Sequence, residues 1–264
     1  MLTMSHVSKT FNAGTINEKR ALVDCNLHLA PGDFVTIIGG NGAGKSTLMN
    51  MIAGVYPIDA GTITLDGMNI SRLSEPARAK YLGRVFQDPM MGTAADMQII
   101  ENLAMAKRRG KTRTLAWGVT RAERDEYTER LRELGLGLEK RLTTKVGLLS
   151  GGQRQALTLL MATLQKPKLL LLDEHTAALD PKTAAKVLET TERIIQRDHL
   201  TTLMITHNMR DAIAHGNRLI MMYDGRIVVD VSGEEKQRLT VEDLLALFEK
   251  ASGQALASDR MLLG

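Results

Sequence analysis

The stretch Gly39-Gly40-Asn41-Gly42-Ala43-Gly44-Lys45-Ser46 decides the fold, because it fits the pattern G-x-x-x-x-G-K-[ST]. Residues 34–38 are apolar and rich in β-branched side chains, which predicts a buried strand that leads directly into the glycines. Residues 45–54 are predicted to form a helix that ends at a glycine. A strand, a glycine-rich turn and a helix N-terminus present backbone N–H groups to phosphate oxygens. The stretch therefore predicts a loop that binds the phosphates of a nucleoside triphosphate.

Each residue type in this loop has a physical task. Gly39, Gly42 and Gly44 let the backbone adopt conformations that direct successive N–H groups at phosphate oxygens. Lys45 is expected to reach the β- and γ-phosphates, and Ser46 is expected to ligate Mg²⁺. The loop residues that we expect to bind the nucleotide are Gly39, Asn41, Gly42, Ala43, Gly44, Lys45, Ser46 and Thr47.

A second motif is an apolar run that ends in two acids, Leu169-Leu170-Leu171-Leu172-Asp173-Glu174. The run predicts a buried strand that delivers Asp173 to the carboxyl edge of a sheet, where a carboxylate can hold Mg²⁺ or its waters. Glu174 follows at a position suited to polarise an attacking water as general base. Taken alone, the run also fits a core strand that meets a polar loop. Its place after a phosphate loop favours the catalytic interpretation.

The third motif, Leu149-Ser150-Gly151-Gly152-Gln153, follows Lys45 at a distance of about a hundred residues. Ser-x-x-Gln is a capping box for a helix predicted over residues 151–164. Two glycines in the first turn cost that helix about 1 kcal/mol each relative to alanine. The cost suits a backbone that another group approaches closely. The Ser150 hydroxyl, the N–H groups and the helix dipole suit an anion such as a γ-phosphate.

Together these motifs resemble the ATP-binding-cassette (ABC) family, and the resemblance covers nearly the whole chain. It implies an α/β fold with a P-loop NTPase core of ABC type: a mixed sheet flanked by helices, an antiparallel β subdomain and an inserted α-helical subdomain. We expect one domain over residues 1–264. Its α/β core is predicted over residues 1–86 and 165–264, and its helical subdomain, with the Ser150 motif, over residues 87–164. ATP and Mg²⁺ are the implied cofactors.

The resemblance extends to single positions. Phe11 matches an aromatic residue that stacks on adenine, although ordinary core packing also explains it. Gln87 matches the glutamine that contacts Mg²⁺ and the attacking water, and His207 matches the switch histidine on the γ-phosphate. Ser150, Gly151, Gly152 and Gln153 match the motif that completes the ATP site of the partner subunit, which implies a head-to-tail homodimer around two ATP molecules. Residues 178–180 match the loop through which the two subunits contact each other.

Residues 174–180 depart twice from the family's Glu-Pro-Thr-Ser-Ala-Leu-Asp pattern. His175 replaces a rigid proline, and Ala177 lacks a hydroxyl group. Neither departure removes a catalytic group, so we expect them to affect communication between the two sites and not ATPase competence. The catalytic residues implied are Lys45, Gln87, Glu174 and His207, and the metal ligands implied are Ser46, Gln87 and Asp173.

Local patterns predict further elements on both sides of these motifs. Asp66-Gly67 is typical of a hairpin turn, and Thr120 with Glu123 forms a capping box. The remaining predictions are a strand over residues 21–29, a hairpin over 61–70, a helix with the apolar stripe Tyr127, Leu131 and Leu134, a helix opened by Asp180 and Pro181, a strand over 203–206, a closing strand pair over 223–231 and a helix from Thr240 to Phe248.

Composition limits where such a chain works. A net charge of +4 is too small to imply a nucleic-acid partner, and none is expected. Cys25 is the single cysteine, which excludes an internal disulfide and fits a reducing cytosol. Neither a signal peptide nor a run of about 18 apolar residues occurs in the sequence. We therefore expect a cytoplasmic protein, peripheral on the inner face of the cell membrane, with no appended regulatory domain and no fused permease.

The resemblance implies the ATP-hydrolysing subunit that energises a separate transmembrane permease. A separate subunit of this kind is usual for bacterial importers that receive substrate from an extracytoplasmic binding protein. Residues 83–87, 92–94 and 174–176 are similar to those of a group of amino-acid-type importers, which includes tryptophan/tyrosine uptake systems. Two alternatives remain: the ATPase of an exporter, and a soluble ABC ATPase that acts on DNA or ribosomes. Against the soluble ATPase, the interval of about a hundred residues between Lys45 and Ser150 leaves no room for a long coiled coil, and the chain carries one cassette.

Two surface features have open interpretations. Met90 and Met91 either form a soft groove for a permease helix or are buried in the helical subdomain. The basic residues 107–111, together with Arg113, either face lipid headgroups or form a solvated loop, which is the interpretation that we favour.

Overall fold

The computed structural model describes residues 1–111 and 118–252, so Arg113 and the last dozen residues lie outside the described part. The strands are β1 (Leu2–Phe11), β2 (Lys19–Leu29), β3 (Phe34–Ile38), β4 (Ala60–Leu65), β5 (Met68–Asn69), β6 (Leu82–Val85), β7 (Leu169–Asp173), β8 (Thr202–Ile205), β9 (Arg218–Tyr223) and β10 (Arg226–Ser232). The helices are α1 (Lys45–Ala53), α2 (Glu75–Arg78), α3 (Ile99–Lys107), α4 (Arg121–Arg132), α5 (Gly151–Thr163), α6 (Pro181–Asp198), α7 (Met209–Ala214), α8 (Gly233–Arg238) and α9 (Val241–Ser252).

The chain divides into two compact units, one of residues 1–78 and 201–252 and the other of residues 79–200. We call these the first unit and the second unit. The predicted limits of the helical subdomain, residues 87 and 164, lie inside the second unit, which also contains β6, β7 and α6. The predicted subdivision of the chain stays a prediction.

Two groups of strands form the framework of the first unit. An antiparallel sheet has the strand order β2-β1-β4-β5, and the tight turn at Asp66 and Gly67 joins its last two strands as predicted. In the other group, β3 pairs in parallel with both β8 and β9, while β10 is antiparallel to β9. Each residue of β3 is buried, which fits its uninterrupted apolar pattern. The predicted strand at residues 34–38 and the helix that ends at Gly54 are confirmed.

The prediction of a closing strand pair over residues 223–231 is wrong in its limits. The pair consists of β9 and β10, joined at Asp224 and Gly225, so the predicted range holds only the last residue of β9. The physical reason is burial. The central residues of β9 are buried without alternation, so it lacks the period of two that marks a half-exposed strand such as β10.

The second unit contains the parallel pair β6 and β7 and helices α3 to α6. Helix α4 begins at the predicted capping box, in which the Thr120 hydroxyl accepts from the Glu123 N–H and the Glu123 carboxylate accepts from the Thr120 N–H. Its predicted apolar stripe, which is Tyr127, Leu131 and Leu134, is buried. These local predictions are confirmed because capping boxes and the helical period of 3.6 residues depend only on residues that are close in the sequence.

A buried arginine joins the end of α1 to the segment that follows β5. The Arg78 guanidinium donates to the carbonyl oxygens of Met51 and Ile52 at 2.6 and 2.9 Å, near the C-terminus of α1. It also donates to Leu73 O at 2.9 Å and to Ser71 O at 3.1 Å. Burial lowers the pKa of this guanidinium below its ordinary value. Arg78 therefore fixes the far end of the helix whose first turn carries the phosphate-loop lysine.

Arg78→Met is expected to lower the free energy of unfolding by about 2–4 kcal/mol, because four carbonyl oxygens lose a charged donor. Arg72→Met is the matched control, since Arg72 is exposed, and it should change stability by less than about 0.5 kcal/mol. Urea unfolding followed by circular dichroism measures both. Equal midpoints for the two variants would contradict the proposed anchoring by Arg78.

Candidate functional site

The phosphate loop is pressed against neighbouring strands at two glycines with positive φ. At Gly39, with φ 152°, an added Cβ would lie 2.3 Å from the carbonyl oxygen of Met222 in β9. At Gly44, with φ 100°, an added Cβ would lie 2.5 Å from the carbonyl oxygen of Ala21 in β2. Only glycine fits these two positions, both sterically and conformationally. The glycines therefore fix the path of the loop as well as directing its N–H groups.

A hydrogen-bonded bridge ties the middle of the loop to β2. The Gly225 N–H donates to Ala43 O at 3.1 Å, and the Val23 N–H donates to Gly225 O at 3.0 Å. Gly225 belongs to the turn between β9 and β10, far from the loop in sequence. Sequence reasoning missed this contact, because an Asp-Gly turn signals a hairpin and not what the hairpin touches.

Lys45 places a positive charge inside the loop. Its side chain is buried, with 5% of the residue exposed, and its Nζ donates to Gly39 O at 2.8 Å and to Gly40 O at 3.1 Å. Within the described residues, no side chain caps the N-terminus of α1 and no acid lies in its first turn. The loop thus combines a buried ammonium with a helix N-terminus of positive potential. This donor set fits a polyphosphate, and Ser46, exposed in the first turn of α1, adds a hydroxyl oxygen suited to Mg²⁺.

Lys19 is a second cation near the loop that sequence reasoning missed. Its Nζ lies 3.4 Å from the position that a Cβ atom on Gly42 would occupy. In the register of β1 and β2, Lys19 is the partner of Phe11. The Phe11 ring lies edge-on to Tyr56, with 5.2 Å between the ring centroids. Adenine stacking by Phe11 stays a prediction, and Lys19 adds positive charge between that ring and the loop.

His207 is held between a strand end and a helix cap. It follows β8, and the next residue, Asn208, caps α7 by accepting from the N–H groups of Arg210 and Asp211 at 2.9 and 3.2 Å. The Asn208 N–H in turn donates to the Thr206 hydroxyl at 3.1 Å. These bonds on both sides fix the backbone that carries the half-buried His207 side chain. The first unit therefore supplies the phosphate loop and this candidate γ-phosphate sensor.

In the second unit, β7 ends at the two predicted acids. Its four leucines are fully buried, and Asp173 follows them with an ion pair to Arg84 of β6, at 3.5 Å from Nη2 to Oδ2. Glu174 has a φ of 46°, in the left-handed region that costs a non-glycine residue about 1–2 kcal/mol. The structure thus places Asp173 and Glu174 in succession at the end of a buried strand, as the sequence predicts, and their roles in metal binding and catalysis stay predictions.

Gln87 follows β6 and is exposed. The carbonyl oxygen of the preceding residue, Phe86, accepts from the Nε2 of Gln155, a buried residue of α5, at 3.3 Å. The backbone before Gln87 is therefore tied to the helix that begins at Ser150.

The predicted capping box at the start of α5 is confirmed. The Ser150 Oγ accepts from the Gln153 N–H at 3.3 Å, and the Gln153 Oε1 accepts from the Ser150 N–H at 3.2 Å. The two glycines have different surroundings. A Cβ on Gly152 would lie 2.1 Å from Thr183 Cγ2 of α6, so helix packing within this chain requires that glycine. Gly151 is exposed, so a partner's phosphate has access to this position.

The structure decides part of the two open surface questions. Met90 and Met91 are 42% and 70% exposed, so the alternative that they are buried in the subdomain core is wrong. In the basic segment, Lys107 pairs with Glu126 and Arg108 pairs with Glu123. These pairs neutralise much of the charge that a lipid surface would attract, while Arg113 lies outside the described residues. No helix among residues 1–111 and 118–252 has the length and apolarity needed to span a bilayer.

Comparison with known proteins identifies the class. Residues 22–177 match the family model described as ABC transporter. The chain is 45% identical to a tyrosine transport ATP-binding protein of Clostridioides difficile, over 95% of this chain and 100% of that protein. It is 34% identical to a methionine import ATP-binding protein of Bartonella henselae, over 86% of this chain and 64% of that protein. The chain therefore belongs to the ABC transporter family.

The solved structures agree with this assignment. One similar structure is a dimeric ATP-binding cassette in a post-hydrolysis state bound to ADP and Pi, with a TM-score of 0.74 and 28% identity. The match covers 88% of this chain and 98% of that chain. These comparisons confirm the predicted P-loop fold of ABC type and the prediction that the chain is the ATP-hydrolysing subunit of a transport system.

Gly39→Ala is expected to weaken ADP and ATP binding about tenfold or more, because its Cβ would displace the loop from Met222 O. Gly40→Ala is the matched control, since a Cβ atom added there would meet no atom within 4 Å and the φ of Gly40 is not positive. Titration with a fluorescent nucleotide measures both affinities, and thermal unfolding checks that both variants are folded. Identical affinities for the two variants would show that the loop path does not depend on Gly39.

Proposed function

We propose that two copies of this chain close head-to-tail on two Mg·ATP and that hydrolysis drives a separate permease which imports a small solute, in particular an amino acid. The observation that carries the nucleotide chemistry is the buried Lys45 ammonium inside a loop whose path two glycines fix. The dimeric cassette to which the chain is similar supports the two-copy arrangement.

The proposed binding roles follow from the donor types. Lys45 and the N–H groups of Gly39 and of residues 41–47 hold the β- and γ-phosphates, while the Phe11 ring stacks on adenine. Ser46, Gln87 and Asp173 would hold Mg²⁺ through oxygen ligands, and the bound ion would neutralise charge on the phosphates. The Arg84 guanidinium beside Asp173 is a cation that would compete with the metal for that carboxylate.

The proposed chemical step uses two further side chains. The Glu174 carboxylate accepts a proton from the attacking water, whose oxygen forms a bond to the γ-phosphorus while the bond to the bridging oxygen breaks, which gives ADP and inorganic phosphate. His207 contacts the γ-phosphate and Gln87 orients the water. In the partner's site, the Ser150 hydroxyl and the N–H groups of Gly151 and Gly152 stabilise the phosphate from the opposite side, while Gln153 closes the capping box that holds Ser150.

Import is proposed from the relatives and from one surface. The relatives named above are a tyrosine transport protein and a methionine import protein, which supports an amino-acid cargo. An extracytoplasmic binding protein is proposed as a further partner. Met90 and Met91 are exposed apolar side chains on the second unit, suited to pack against a cytoplasmic helix of the permease. We accordingly propose a location on the inner face of the cell membrane, with no nucleic-acid partner.

Glu174→Gln is expected to lower ATP turnover about a hundredfold or more while leaving ATP binding intact, because the amide cannot accept the proton. An ATP-bound dimer should then accumulate. Phosphate release measures turnover, and size-exclusion chromatography with light scattering measures the dimer. Glu189→Gln, at an exposed position of α6, is the control and should behave as the wild type. Near-normal hydrolysis by Glu174→Gln would refute its assignment as general base.

A further inference from the structure

A buried histidine anchors the loop that follows the catalytic strand. His175 is 2% exposed, and its Nε2 lies 3.2 Å from the Thr191 hydroxyl oxygen on α6. That hydroxyl also lies 2.8 Å from the carbonyl oxygen of Val187, which can only accept. The Thr191 proton is therefore directed to Val187, and the hydroxyl oxygen accepts from the His175 Nε2–H. A polar pair this deeply buried is expected to be strongly specified in geometry.

Glu174, the residue before His175, has a strained backbone conformation. Glu174 has a positive φ of 46°, and such a backbone persists only where its surroundings hold it. The Ala177 N–H donates to Glu174 O at 3.0 Å, which closes a turn directly after the strand. At the far end of the loop, the Asp180 carboxylate caps α6 by accepting from the Thr183 N–H at 3.1 Å. His175 supplies a side-chain anchor between these two backbone restraints, one residue from the Glu174 carboxylate.

The His175 anchor occupies the position at which the family pattern has proline. A proline there would fix its own φ near −65° and would restrict the residue before it to extended conformations. Histidine imposes neither restriction, and Glu174 adopts a left-handed conformation. The loop of this chain must then obtain its rigidity from another source, and the buried bond from His175 to α6 is available in the structure for that purpose.

We propose that His175 and Thr191 form a positioning pair that sets the orientation of the Glu174 carboxylate. The proposal rests on the proposed role of Glu174 as general base. Both residues are buried, and neither is among the residues proposed to bind the nucleotide. Breaking the bond between His175 and Thr191 should therefore lower the rate of the chemical step, because the Glu174 carboxylate loses its orientation. Nucleotide affinity should stay unchanged, because the phosphate loop is not affected.

Thr191→Val tests the pair with little change in side-chain shape. The variant removes the hydroxyl that accepts from His175 and is expected to lower kcat about tenfold, with KM for ATP within about twofold of the wild type. Thr190→Val is the matched control. Thr190 is the adjacent buried threonine of α6. Its hydroxyl donates to the Lys186 carbonyl oxygen in the same way and accepts from the Arg193 guanidinium at 3.2 Å, but it has no bond to His175. It should keep the wild-type kcat.

Variants of His175 provide the rescue. His175→Gln retains an N–H donor at the end of the side chain and should keep most of the turnover, while His175→Phe retains a ring without a donor and should lose it. In the double variant His175→Phe with Thr191→Val, the loss in kcat should not exceed that of His175→Phe alone, because both changes break the same hydrogen bond.

Three results would overturn the proposal. They are equal kcat values for Thr191→Val and Thr190→Val, a loss confined to KM, and a lower unfolding temperature with unchanged kcat. Failure of the general-base assignment is distinguishable, because it would appear as normal hydrolysis by Glu174→Gln. If Glu174→Gln is inactive and Thr191→Val is as active as Thr190→Val, the base stands and only the positioning pair is refuted.

Discussion

The structure depends on holding one buried ammonium group against two backbone carbonyl oxygens of the phosphate loop. A lysine buried in a loop is costly unless polar groups surround it, and here Gly39 O and Gly40 O accept from Lys45 Nζ. That arrangement requires the loop to pass within contact of β2 and β9, where a side chain on Gly39 or Gly44 would collide with a carbonyl oxygen. The strands exist in part to support this loop, and the Gly225 bridge ties it in place.

The second unit holds two acidic residues, Asp173 and Glu174, at the end of β7. Four buried leucines make β7 rigid, so Asp173 and Glu174 follow from a fixed strand end. Arg84 balances the charge of the first acid, and the turn and anchor after Glu174 hold the second in a conformation that it would not adopt alone. Electrostatic compensation and backbone restraint are thus applied to neighbouring residues with separate roles.

The features that could be predicted from the sequence are those that depend on residues close together in the chain. The capping boxes at Thr120 and Ser150, the helix stop at Gly54 and the buried strand β3 each follow from short patterns. Contacts between distant segments could not be predicted. The bridge at Gly225, the packing of Gly152 on Thr183 and the position of Lys19 beside the loop depend on tertiary packing that leaves no periodic signal. The limits of β9 were also missed, although its central residues form an uninterrupted apolar run like that of β3.

The central claim is that this ATPase energises an importer, and native co-purification tests it most directly. The chain would be tagged at its native expression level, the membranes gently solubilised and the bound proteins identified by mass spectrometry. The account predicts a polytopic permease together with an extracytoplasmic binding protein, whose ligand then identifies the cargo. Recovery only outside the membrane fraction, with nucleic acid or ribosomes, would contradict the account, and a permease without a binding protein would contradict import.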